Sequence, residues 1–130
     1  MPISYTLDRA RRRIHTTVTG SVTVDDILQH FEAACREQIL DYAELIDARD
    51  AAPPFLSAAD IRRAAAAIGS RHVLPPCGPR AVMVSNGVVF AMTRMFAVLV
   101  SDLVPFEVFR DQTEAEKWLA GRCTPPTADS

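Results

Sequence analysis

Apolar and polar positions alternate twice within the first twenty residues. Ile3, Tyr5 and Leu7 interleave with Ser4, Thr6 and Asp8, and Ile14, Thr16 and Val18 interleave with His15, Thr17 and Thr19. A period of two marks strands with one buried and one wet face. The short polar stretch 8–13 between them predicts a hairpin. After Gly20 the period changes. Ile27, Leu28, Phe31, Ala34, Cys35 and Gln38 fall at helical spacing behind Thr23, with Asp25 and Asp26 in the first turn, where negative charge suits the helix dipole.

Residues 42–48 (YAELIDA) predict a third strand. A second helix then opens with Leu56 before the cap, Ser57 as N-cap, Asp60 three residues on and Ile61 next, a capping box with a hydrophobic staple. Its inward face is Ile61, Ala64, Ala65 and Ile68. Gly69 and the proline-rich loop 74–79 end it. Residues 81–84 predict a fourth strand, Ser85-Asn86-Gly87 a turn, and 88–103 a third helix stopped before Pro105. Phe106 to Phe109 predict a fifth strand. Thr113 and Glu116 predict a capping box for a last helix carrying Ala115, Trp118 and Leu119 and ended by Gly121.

Strands alternating with helices predict an α/β domain with parallel pairing and right-handed crossovers. The wet face of the hairpin argues against a sheet covered on both sides, so the helices are expected mainly on one face. With 130 residues, the expectation is a single domain over 1–122 and a disordered tail over 123–130.

Composition narrows the function. The chain is 48% hydrophobic and 23% charged, with a net charge of −2, which argues against a nucleic-acid partner. The basic cluster at residues 9–13 reads as a solvated hairpin turn. The apolar run 88–100 is interrupted by Thr93 and Arg94 and falls short of the roughly 20 residues a membrane span needs. Residues 1–8 lack the apolar core of a secretory signal. Three irregularly spaced cysteines form neither a disulfide framework nor a metal motif, so the expectation is a cytoplasmic protein with no metal and no cofactor.

Three strings carry a family resemblance: LIDARD at 45–50, FAMTRMF at 90–96 and VFRDQTEAEKWL at 108–119. With the element order, the chain resembles the SpoIIAA-like or STAS-like superfamily (sulfate transporter and anti-sigma-factor antagonist domains). Within it, the chain looks like the small bacterial stand-alone STAS/CRAL-TRIO-like domains. The resemblance implies a SpoIIAA-like fold: a five-stranded mixed sheet, with an N-terminal hairpin followed by parallel β-α units. It also implies a regulatory module that acts through protein contacts. Anti-sigma-factor antagonists carry a phosphorylatable serine in an Asp-Ser-Ser-Gly-like stretch at the start of the second helix. Ser57 lies near that place, but the region reads PPFLSAADI and lacks the motif and its glycine. Ser57 is first an N-cap and only second a phosphorylation candidate.

Two regions hold candidate function. Ligands of parallel α/β sheets sit beyond the carboxyl ends of the strands. That edge gathers Asp47, Arg49 and Asp50, then Ser57, then Ser85, Asn86 and Gly87, then Arg110 and Asp111. These residues read either as a loop network or as a site for a small anion. They contain no nucleophile–base pair, so no enzyme is expected. His72 and Cys77 are too few for structural zinc. His15 is expected on the wet sheet face and His30 on the polar side of the first helix. The third helix is the second region, apolar around far more of its circumference than one sheet face requires. Either neighbouring helices cover it, or Met92, Met95, Phe96 and Leu99 meet another subunit, a partner or an apolar ligand. The leading expectation is a non-enzymatic binding or regulatory module, acting as a homodimer or on a protein partner. The alternative is a carrier or sensor of a lipid-like ligand, and an enzyme ranks third.

Overall fold

In the computed structural model, which describes residues 2–70 and 77–122, the two alternating segments form the expected hairpin. His72, residues 74–76 of the proline-rich loop and the tail at 123–130 lie outside the described residues. Strand β1 (Ile3–Asp8) pairs antiparallel with β2 (Arg13–Gly20). Helix α1 (Val24–Arg36) leads to β3 (Ala43–Ala51), α2 (Ala58–Gly69) to β4 (Arg80–Met83) and α3 (Gly87–Leu99) to β5 (Phe106–Phe109). Helix α4 (Gln112–Arg122) follows. The sheet order is β1-β2-β3-β4-β5, parallel from β2 onward.

Each parallel step moves one place in the same direction. With right-handed crossovers, that progression forces all the connecting helices onto one face. Accordingly α1, α2 and α3 pack over the side chains of Ile14, Val18, Ala48, Val82, Val84 and Val108. Helix α4 departs from the one-face expectation. It connects to no further strand, so no crossover rule binds it, and it crosses to the opposite face. There Ala115 and Leu119 bury completely against Ala43, Leu45, Ala81 and Met83, and Trp118 meets Phe109 with ring centroids 5.9 Å apart. The wet face survives over β1 and β2, where His15, Thr17 and Thr19 are exposed, and at Glu107 on β5.

Several element ends differ from the sequence reading. Helix α3 closes at Leu99, not at 103, because residues 100–104 tighten into turns in which Leu103 and Val104 both donate to the Val100 carbonyl at 2.9 Å. Helix α4 starts at Gln112, with the Asp111 carboxylate, not Thr113, accepting from the Glu114 N–H at 3.1 Å. An aspartate there answers both the orphan N–H groups and the dipole. Gly121 lies inside this helix instead of ending it. The cap at Thr23 forms a complete box with Asp26, and Ser57 does the same with Asp60.

The loops entering β3 and β4 touch at Gly78, whose N–H donates to the Leu40 carbonyl at 3.0 Å. A Cβ there would lie 2.2 Å from the Tyr42 carbonyl oxygen and 2.5 Å from that of Asp41. Backbone atoms on both sides leave no flexible group to yield. Gly78→Ala is therefore expected to destabilise the domain by about 3 kcal/mol, the upper end for overpacking. Urea unfolding checks this, and an unchanged midpoint would contradict the close approach.

Candidate functional site

A glutamate lies at the centre of the sheet, on the face covered by helices. Glu44 and Arg80 are register partners on β3 and β4, and the two residues are buried to 3% and 6% residual exposure. Arg80 Nε stands 3.2 Å from Glu44 Oε1, while its Nη1 donates to the carbonyls of Tyr42 at 2.7 Å and Gly78 at 2.8 Å. On the other carboxylate oxygen converge Thr16 Oγ1 from β2, at 2.5 Å, and His30 Nε2 from α1, at 2.6 Å. Three strands and one helix thus each supply one polar side chain to a single point. Tyr5 packs edge-on to the His30 ring, with centroids 5.3 Å apart.

Burial alone would push the Glu44 carboxyl upward. The His30 hydrogen bond, the Arg80 charge and the Thr16 hydroxyl outweigh it and hold the group below its ordinary value. Glu44 is therefore an ionised acceptor and a weak base. Being ionised, it accepts only, so Thr16 and His30 are the donors.

This cluster forms the polar end of a mainly apolar cavity of about 230 Å³ between the sheet and helices α1, α2 and α3, to which Thr93 adds one hydroxyl-bearing side chain. Val18, Ile46, Ala48, Val82 and Phe106 line its floor, and Ile27, Phe31, Ile61, Val89, Met92 and Phe96 its roof. Ala52, Pro54, Phe55 and Leu56, from the β3–α2 loop, line the end beyond the carboxyl ends of β2 and β3. The cluster lies toward the opposite end, where β3 and β4 begin. Burial pushes up the thiol of Cys77, which also lines the cavity. A second depression of about 430 Å³ follows the polar side of α1 past Asp25, Asp26, Glu32 and Arg36. Its charged lining makes it a solvated groove, so the apolar cavity is the candidate site.

The residues expected at the strand-end edge are placed as a hydrogen-bonded rim. Arg49 grips Asp47 through Nε and Nη2, each at 2.9 Å, and this bond holds the Asp47 carboxyl below its ordinary value. Ser85 Oγ donates to the Arg49 carbonyl at 2.8 Å. Asn86 caps α3 by accepting from the Val88 and Val89 N–H groups, and exposed Ser57 caps α2. The Arg110 guanidinium lies over the Phe90 ring at 4.6 Å. Of the third-helix residues, Met92 and Phe96 face the cavity, whereas Leu99 is 47% exposed. Among the described residues no group of three His, Cys, Asp or Glu side chains gathers to hold a metal ion, and no helix is long and apolar enough to cross a membrane.

The pattern of residues missed the cluster itself. His30, assigned to the solvent side of α1, instead reaches down to Glu44. The available signal was a charged residue between Ala43 and Leu45 in a strand that must be internal, and an arginine opening the next strand. Charges in such places are buried and require partners.

Replacing Glu44 by Gln leaves the Arg80 charge buried without its counterion. A loss of about 3–5 kcal/mol is expected at neutral pH. Because the folded-state carboxyl is depressed, its contribution is complete above the ordinary value near 4.5 and fades as pH falls through the lower folded value. The stability gap between wild type and E44Q should therefore be flat near neutrality and narrow below about pH 4.5. Denaturation at a series of pH values checks the sign, and a gap that widens on acidification would contradict it.

No protein-family model matches the chain, and no curated protein does. Among solved structures, it is similar to an uncharacterised protein of the DUF3478 family, with a SpoIIAA-like fold, from Shewanella loihica PV-4. The two share 19% identity at a TM-score of 0.56, over 90% of this chain and 93% of the other. The sheet order, the antiparallel opening hairpin and this likeness agree: the chain has the SpoIIAA-like fold.

Proposed function

We propose that the domain binds a small, mainly apolar ligand between its sheet and helices α1 to α3. The observation that carries this reading is the cavity itself, about 230 Å³ in volume and lined by apolar side chains apart from the Glu44 cluster, Cys77 and Thr93. Protein interiors are ordinarily packed with few spaces larger than a water. A cavity of roughly 150 Å³ suffices for benzene. At a liquid-like share of roughly 30 Å³ per small group, the occupant has on the order of eight non-hydrogen atoms. The apolar walls supply the affinity, and one polar end fixes orientation, the usual division of labour in a ligand pocket. The cavity supports the ligand-carrier or sensor reading over a module that works by protein contacts alone. Binding without turnover fits the chemistry at hand, because Glu44 is held as a weak base and Cys77 as a protonated thiol.

Toluene is a suitable probe. It should raise the melting temperature by several degrees when its concentration is far above its Kd, as preferential binding to the native state requires. Ala48→Leu, which extends a side chain from the cavity floor, should abolish that rise while leaving the protein folded. A toluene response that persists undiminished in A48L would place binding elsewhere and defeat the reading.

A second reading concerns the outer side of α3 and the turn after it. Val98, Leu99 and Leu103 are exposed together there, Val98 to 68%, and Val88 is exposed at the other end of α3. Large apolar side chains clustered on one surface favour association, and the reading commits to a second copy of this chain. Sedimentation velocity should then show a dimer in the wild type and a monomer in V98K/L99K. A wild type that stays monomeric at high concentration removes this reading and leaves the cavity untouched.

A further inference from the structure

The polar end of the cavity also restricts what the ligand can carry. Among the described lining residues, the charged or chargeable groups besides Cys77 are Glu44, Arg80 and His30, all in one cluster. The cluster is balanced internally. The Glu44 charge faces that of Arg80, whose Nη1 is already held by two carbonyls. No buried side-chain nitrogen or oxygen among the described residues lacks a hydrogen-bond partner. A carboxylate entering here brings a second negative charge beside Glu44, and an ammonium a second positive charge beside Arg80. Both repulsions act in a low-dielectric space where screening is weak. A neutral hydroxyl brings no charge. Thr16 Oγ1 gives its proton to Glu44 Oε2 and keeps lone pairs on the cavity wall.

We propose that the site selects uncharged hydroxylated molecules, small alcohols or phenols, whose O–H donates to Thr16 Oγ1 while the apolar body lies between Ala48, Met92 and Phe96. This rests on the reading of the cavity as a ligand site and names the class of ligand. Fatty acids and amines of equal size are discriminated against.

Calorimetric titration of the full chain at neutral pH with p-cresol, toluene, 4-methylbenzoate and 4-methylbenzylamine tests it. Hexan-1-ol and hexanoate provide a second, unbranched pair. The expected order is hydroxyl compound at least tenfold tighter than toluene, and about a hundredfold tighter than the matching carboxylate or ammonium. Whichever of p-cresol and hexan-1-ol binds tighter assigns the class to phenols or to chain alcohols, and both results support the proposal. Thr16→Val should erase the advantage of p-cresol over toluene, and Thr16→Ser should restore it. Toluene binding to both variants reports that the cavity is intact. If 4-methylbenzoate binds as tightly as p-cresol, or p-cresol no tighter than toluene, the hydroxyl proposal is overturned while the cavity reading stands. If none of the compounds binds, both fall together.

Discussion

The buried pairing of Glu44 with Arg80 is the constraint around which this domain is arranged. An ionised carboxylate removed from water is tolerable only with a counterion and hydrogen bonds to its remaining lone pairs. Here the counterion comes from the neighbouring strand in direct register, and the additional donors come from the strand on the other side and from the helix above. Meeting those needs fixes how α1 sits over β2 and β3. It also fixes the loops before β3 and β4, because the guanidinium is held from behind by the carbonyls of Tyr42 and Gly78. The lack of a side chain at Gly78 is part of the same arrangement, since any Cβ would drive into the carbonyls of Asp41 and Tyr42. A wholly apolar cluster would be easier to desolvate. What a polar one contributes is direction, a single marked end in an otherwise uniform greasy space.

The position of that end separates this site from the usual one in parallel α/β proteins. Ligands there commonly lie beyond the carboxyl edge, where helix N-termini offer N–H groups. Here the N-terminal groups of α2, α3 and α4 are met by the chain's own Ser57, Asn86 and Asp111. The carboxylate most prominent at that edge, Asp47, is held by Arg49. The space that can receive a ligand lies over the sheet face instead. It is bounded by the same three helices that the strand order confines to that side.

Much of the fold was legible because its local signals agree with one another. Alternation through Ile3 to Leu7 and Ile14 to Val18, the caps at Thr23 and Ser57, and the Asn86 turn each point to the element that forms. The candidate site was much less legible. Periodicity sorts residues by face, and it assigned His30 to solvent because its helix neighbours are polar. A long side chain near the edge of a stripe can bend toward either side, and only a buried partner across the layer decides which. Glu44 was passed over because a strand of mixed letters reads as a strand whatever each letter does. Helix α4 illustrates a different limit. It carries Ala115, Trp118 and Leu119, but no local feature says which sheet face they will cover when no further strand has to be reached. The third helix sits between these cases. Its excess of apolar residues was plain, whereas the division into Met92 and Phe96 inward and Val98 and Leu99 outward follows from how the neighbouring layers are placed.

The strand order has a kinetic consequence. Because the sheet follows the chain, each strand docks on the one that came just before it, and none has to be inserted between two already in place. The hairpin closes over a short turn and each later pairing over a single intervening helix, so no closure has to span more than one β-α unit. Such a chain can assemble as a growing front that starts at the hairpin. Helix α4 seals the second face only when the last strand is home. The same order means that the glutamate of the third strand has no counterion until the arginine of the fourth arrives, so the charge is neutralised only after more than half of the sheet is in place.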